Sequence, residues 1–220
     1  MTDTTLPPGT RRPHFRRYAP VPMRATEDDI EIIAHVGKHR FRRSTDIVRH
    51  IGRPAKKIVE RLTVLYHNGY LDRPRAQLDY FDPHHRAPYV YALGNRGAAL
   101  LAERDGAKPN GIDWTDKNRE AGRPFIDHAL LIGDVMTAAE RVARARHDVL
   151  LLEPGDILAK APQTSQRSDN PWRLTAQLTI ETDKGTVLEE HSIIPDKALG
   201  LDFTIERKIP YFWLFRKSSG

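Results

Sequence analysis

Between residues 26 and 69 the chain meets three helix-ending signals: Gly37, Gly52 closely followed by Pro54, and Asn68-Gly69. Stops this close together forbid a long helix and leave room for three short ones. The first opens at Thr26-Glu27-Asp28-Asp29, a hydroxyl cap ahead of an acidic turn, and carries Ile30, Ile33 and Ala34 at i, i+3, i+4, so it is expected to end at Gly37. Ser44 or Thr45 caps a second helix at 46–51, and Gly52 supplies its left-handed stop. Pro54 suits the first turn of a third, which aligns Ile58, Leu62, Leu65 and Tyr66 on one face.

Two β-rich runs follow, 70–73 and 89–93, joined by a polar segment containing Pro and His, the pattern of a hairpin. Three helices and a hairpin in this order predict a winged helix-turn-helix over 26–106, closed by a short packing helix at 94–106. Residues 1–25 hold five Arg and five Pro with no periodicity and are expected to form a disordered basic arm. Residues 107–122 read as a linker with one aromatic anchor, Trp114.

A long helix is expected over 124–146, with Phe125, Ala129, Ile132, Met136, Ala139 and Ala143 stepping by four and three. Such a seam can lie on a sheet of its own domain or join two copies in a homodimer. Beyond it, runs at 148–153, 172–182 and 186–194, then ALGLDFTI and YFWLF, predict a mostly antiparallel sheet, so that 123–220 forms an α/β domain and the whole chain is α+β. There is no cysteine, which excludes disulfides, thiolate zinc sites and cysteine nucleophiles. No apolar run reaches the ~20 residues of a membrane helix, and the chain reads as cytoplasmic, with no membrane partner.

The charge is unevenly placed. Residues 1–61 carry 14 Lys and Arg against 7 Asp and Glu, a net of +7, whereas the remaining residues sum to −1 within a total of +6. Nine basic residues between Lys38 and Arg61 coincide with the three-helix segment, which points to double-stranded DNA as the partner. In a helix-turn-helix the first turns of the second helix of the motif enter the major groove. Here they hold Arg53, Lys56, Lys57 and Arg61: the arginines suit bidentate contacts to guanine, the lysines phosphates. Arg42 and Arg43 are expected on the DNA backbone, and Arg73, Arg75 and Arg86 on the wing.

Catalytic chemistry is sparser. Pro195-Asp196 followed by Glu206-Arg207-Lys208 spells a P-D, E-x-K nuclease signature, in which Asp196 and Glu206 would hold Mg2+ and Lys208 would assist the attacking water. Glu206 and Lys208 fall between two apolar runs, however, where a charged turn is expected, while a metal-binding acid needs a rigid position on a central strand. Adjacent His84 and His85 point apart, no His-x-His pair exists for a strand-nicking tyrosine mechanism, and His128 reads as a packing residue. These residues predict no resident cofactor, no metal and no catalytic set.

The runs LTVLYHNGYLDR, YALGNRGAALLAE, FIDHALLIGDVMTAAERVAR and IIPDKALGL, in this order, resemble the bacterial plasmid replication-relaxation protein family over residues 27–203. The resemblance implies a winged-helix DNA-binding protein of plasmids and other mobile elements. It also implies a C-terminal half like a restriction-endonuclease core, in which Asp196 matches the first acid. The second acid belongs at the end of YFWLF, where this chain has Phe215 and then stops five residues later, as a truncated or frame-shifted core would. The expected function is therefore DNA binding in plasmid replication or maintenance without catalysis; a metal-dependent nuclease and a dimeric transcriptional regulator are the alternatives.

Overall fold

The computed structural model describes residues 16–20, 22–80, 87–107, 111–182, 185–203 and 211–215. It is an α+β chain whose described residues form eight α-helices and small antiparallel sheets, divided into two compact units at residues 133 and 134.

In the first unit, α1 (Glu27–His39) begins with a capping box: the Asp29 amide donates to Thr26 Oγ1, and the Thr26 amide donates back to the Asp29 carboxylate at 2.8 Å. The helix passes through Gly37, the expected stop, and ends two residues later. A methyl group at Gly37 would stand 3.2 Å from Leu101 Cδ1, so the glycine serves close packing rather than termination. The reversal falls instead on Arg40, the one described non-glycine residue with positive φ (68°).

That turn feeds a short strand the sequence pattern did not reveal, β1 (Phe41–Arg43), ahead of α2 (Ser44–Ile51) and α3 (Ala55–His67). Gly52 closes α2 in the left-handed region at φ 69°. After α3 come β2 (Leu71–Asp72), a 3-10 turn (Arg75–Tyr80) and β3 (Val90–Leu93), and the three strands pair antiparallel in the order β1-β3-β2. The core beneath them joins Ile32, Ile33 and Val36 of α1 to Ile47, Ile58, Leu62 and Leu65, all 2% exposed or less. Burying each such side chain stabilises the fold by roughly 1.5–3 kcal/mol.

Helix α4 (Asn95–Arg104) is seated by backbone approach. A methyl at Gly97 would lie 2.2 Å from the Tyr70 carbonyl oxygen, a distance no side chain can occupy. The segment expected as a linker contains α5 (Trp114–Glu120), whose Asn118 is 1% exposed and donates to the Leu93 carbonyl at 2.9 Å while accepting from Arg40 at 2.8 Å. Burial pushes the Arg40 guanidinium below its ordinary pKa, and its plane lies over the rings of Phe41 and Trp114. The arm, too, is tied down where it is described: Arg17 donates to the Leu71 carbonyl and to Asp72, and the Tyr18 amide donates to His67 Nδ1. The long helix α6 (Arg123–Ala145) buries Ile126, Ala129 and Leu130 with Phe41, Val90 and Ala92.

In the second unit α6 gives way to β4 (Val149–Leu152), α7 (Pro154–Ala159), α8 (Gln163–Gln166), β5 (Leu174–Thr182), β6 (Gly185–Ile193), β7 (Lys197–Phe203) and β8 (Tyr211–Phe215). β7 is the centre of an antiparallel sheet ordered β4-β7-β8, and Lys160 after α7 pairs with Asp202 of β7. β5 and β6 form a separate two-stranded hairpin in register from Leu174 opposite Ile193 to Thr182 opposite Gly185.

Candidate nucleic-acid interface

α3 is amphipathic, and its outward face is most basic in its first turns. Ile58, Leu62 and Leu65 turn inward, while Lys56 and Lys57 are exposed and have no ion-pair or hydrogen-bond partner among the described residues. Arg53, just before the helix, is 63% exposed and lies 3.5 Å from the half-exposed Asp28. Across the α2–α3 turn stands Arg49, 68% exposed and 3.4 Å from Asp46. Arg53, Lys56, Lys57 and Arg49 therefore form an exposed basic edge between the end of α2 and the start of α3. Arg49 was in the basic cluster of the sequence but not among the expected contacts; its place on the outward side of α2, opposite buried Ile47, is the signal that would have found it.

Four other arginines expected to reach DNA are placed otherwise. Arg61 is spent on α1: its Nε donates to Asp29 Oδ1 at 2.8 Å and its Nη2 to Oδ2, so one bidentate fork holds a carboxylate with no exposed surface. Burial raises the Asp29 pKa, but the hydrogen bonds from Arg61 and Thr26 outweigh it and leave the carboxyl below its ordinary value. Arg42 lies on β1 with 2% exposure and 3.8 Å from Asp46, and a methyl group at Gly133 of α6 would come within 2.7 Å of its Nη1. A guanidinium so enclosed cannot meet a phosphate from solvent.

Arg73 is likewise interior, 7% exposed, with its guanidinium over the rings of Tyr66, Tyr89 and Tyr91 and a 2.7 Å hydrogen bond to the Tyr91 hydroxyl. Burial pushes that hydroxyl's pKa up, and the charge of Arg73 only partly offsets it. Arg43 is half-buried with its Nη1 3.5 Å from Asp46. Arg75 is exposed on the 3-10 turn, and Arg86, with His84 and His85, lies outside the described residues.

Asp196 is exposed in the bend that precedes β7, whereas Glu206 and Lys208 lie outside the described residues. Among the described residues no three His, Asp or Glu side chains are grouped to hold a metal ion. Of the expected α6 seam, Ala129, Met136 and Ala143 are buried within the chain, while Phe125 is 51% exposed, edge-on to Phe41. No described helix is long and apolar enough to cross a membrane.

The family model described as Replication-relaxation matches residues 33–203, more than three quarters of the chain. The chain belongs to the replication-relaxation family. The matched span starts inside α1 and ends at the last residue of β7, so the family's pattern runs through both compact units and includes the basic α2–α3 edge and Asp196. No curated protein and no solved structure matches the chain. Family membership connects the chain to replication.

Proposed function

We propose that this replication-relaxation protein is a winged helix-turn-helix protein that binds double-stranded DNA during the replication or maintenance of a plasmid or other mobile element, and that it acts by binding rather than by cutting. The observation that carries the reading is the basic edge of Arg49, Arg53, Lys56 and Lys57, exposed on the first turns of α3 and the end of α2 above a fully buried apolar face. In a helix-turn-helix those turns are the ones a major groove admits. The order α1-β1-α2-α3-β2-β3, with β1 paired to β3, supports the winged-helix reading and with it this assignment of α3.

Lys56 and Lys57 suit phosphates, whereas Arg53 and Arg49 have the planar fork that can read a guanine edge. Binding of a labelled duplex, measured by fluorescence anisotropy across a salt series, tests the surface. Each lysine–phosphate contact contributes about 0.9 to the slope of log affinity against log salt, so K56A/K57A is expected to reduce that slope by about 2. An unchanged slope removes this surface from the proposal. Mg2+-dependent cleavage of supercoiled plasmid that disappears in D196A would overturn the claim that the protein only binds. Footprinting on the encoding element separates the roles: protection of origin repeats fits replication, and protection confined to the gene's own promoter fits a transcriptional regulator.

A further inference from the structure

The β5–β6 hairpin is a two-stranded sheet, so among the described residues each of its strands has one hydrogen-bonded edge and one edge with no strand beside it. On β5, Leu174, Ala176, Leu178 and Ile180 share one face, and Thr175, Gln177, Thr179 and Glu181 share the other. None of these side chains is buried, and Leu174 and Leu178 are 45% and 46% exposed.

An open edge of this length normally carries a lysine, a proline or a bulge that keeps other strands away. β5 has none of these. Its nine residues contain no Lys, Arg, Pro or Gly, their one charge is Glu181 beside the end, and their pairing with β6 runs without a bulge. The strand is also complementary to itself. Laid antiparallel against a second copy about a two-fold axis at Leu178, it sets Leu178 against Leu178, Ala176 against Ile180, Gln177 against Thr179 and Thr175 against Glu181. Apolar meets apolar on one face, polar meets polar on the other, and no like charges are opposed. β6 fits itself less well: over its full length Glu189 falls opposite Glu189, and centred on Leu188 it opposes Val187 to Glu189.

We propose that the free edge of β5 is a homodimer interface, along which two copies of the chain join their hairpins into one antiparallel sheet ordered β6-β5-β5-β6. A two-stranded hairpin, marginal in water, thereby gains the extra strands that a stable sheet needs. One ladder about 30 Å long belongs to the small, transient class of interfaces, so the dimer is reversible and forms as concentration rises. The pairing concerns the second unit and is tested without DNA, so its failure leaves the proposed DNA surface untouched.

The chain contains no cysteine, so a single introduced thiol reports its own position. Facing Cα atoms at the two-fold centre lie about 4.5–5.5 Å apart, within reach of a disulfide. L178C is therefore expected to form a covalent dimer under mild oxidation several-fold faster than L188C, whose thiol lies on β6 away from the axis. In analytical ultracentrifugation the full chain is expected to pass from monomer to dimer as concentration rises. L178K sets two ammonium groups face to face and is expected to weaken that association by about tenfold or more, while L188K associates as the parent does.

A monomer at every concentration, with L178C linking no faster than L188C, leaves the edge to some other partner and overturns the proposal. A dimer that L178K leaves intact overturns it too, since the contact then lies elsewhere in the chain. Hydrogen exchange gives a third reading. Protection of β5 amides that rises with protein concentration fits the added ladder; protection that does not change with concentration overturns it.

Discussion

Each compact unit contains an arginine–aspartate pair of the same bidentate form, Arg61 with Asp29 in the first and Arg146 with Asp148 in the second. Their surroundings differ. Asp29 has no exposed surface and joins α1 to α3, elements 32 residues apart, whereas Arg146 and Asp148 are two residues apart and half-exposed at the end of α6. In both the carboxyl lies below its ordinary pKa, for Asp148 because Arg146 donates to it in open solvent. The same geometry is structural where water is excluded and nearly inert where water competes.

The two units differ in a parallel way. The first has a continuous core of fully buried aliphatics, while the β5–β6 hairpin of the second leaves Leu174, Leu178, Val187 and Leu188 between 45% and 68% exposed. An isolated two-stranded hairpin is marginal by itself.

The largest expected effect comes from R61A, which strands a buried carboxylate and should cost about 3–5 kcal/mol in urea unfolding of the first unit. R146A should leave the unfolding midpoint where it was; equal losses in the two variants would erase the distinction between the pairs. Next is G97A: its methyl cannot coexist with the Tyr70 carbonyl oxygen, and a loss of about 1–3 kcal/mol or more is expected by the same measurement. A near-neutral result would mean that α4 is not held against the Tyr70 carbonyl as described.

Acid sharpens the comparison further. Because the folded-state pKa of Asp29 is depressed, its contribution is complete above the ordinary carboxylate value and is lost as the pH falls through the lower value it has in the folded protein. Stability followed by circular dichroism should therefore fall less steeply with acid in D29N, which lacks the gain above the folded pKa and no longer takes up a proton at that position. A small effect is expected at L178A, on the exposed face of the hairpin, with a loss under about 1 kcal/mol. Native-state hydrogen exchange should find the β5–β6 amides far less protected than those of α1 and α3. Equal protection would show that the hairpin is covered in solution.

Much of the first unit was legible along the chain. The Thr26 cap, the Gly52 stop and the 3.6-residue spacing of Ile58, Leu62 and Leu65 are local signals, and the structure places helix boundaries near each. Gly37 misled because a helix glycine can serve a neighbour, here Leu101, 64 positions away. The strand at Phe41–Arg43 was hidden because two adjacent arginines break the alternation that marks a half-buried strand, and its partner is β3, about 50 residues on. Helix α5 was hidden in the same way: its anchor, buried Asn118, accepts from Arg40 and donates to Asp72 and the Leu93 carbonyl.

The candidate interface divides along the same line. Lys56 and Lys57 could be assigned outward from helical period alone, since their neighbours at Ile58 and Leu62 fix which side faces the core. Arg42, Arg61 and Arg73 carry no local mark that distinguishes them from Arg49 and Arg53. What separates them is an Asp29 carboxylate, a Gly133 surface and three tyrosine rings brought from elsewhere in the chain.

By itself the sequence therefore determined the number and faces of the first three helices and the concentration of positive charge on them, because capping, helix stopping and amphipathic period act within a few residues. Only the tertiary structure decided which arginines stay in water, because a guanidinium is taken out of solvent only where distant segments supply its carboxylate, rings or carbonyls.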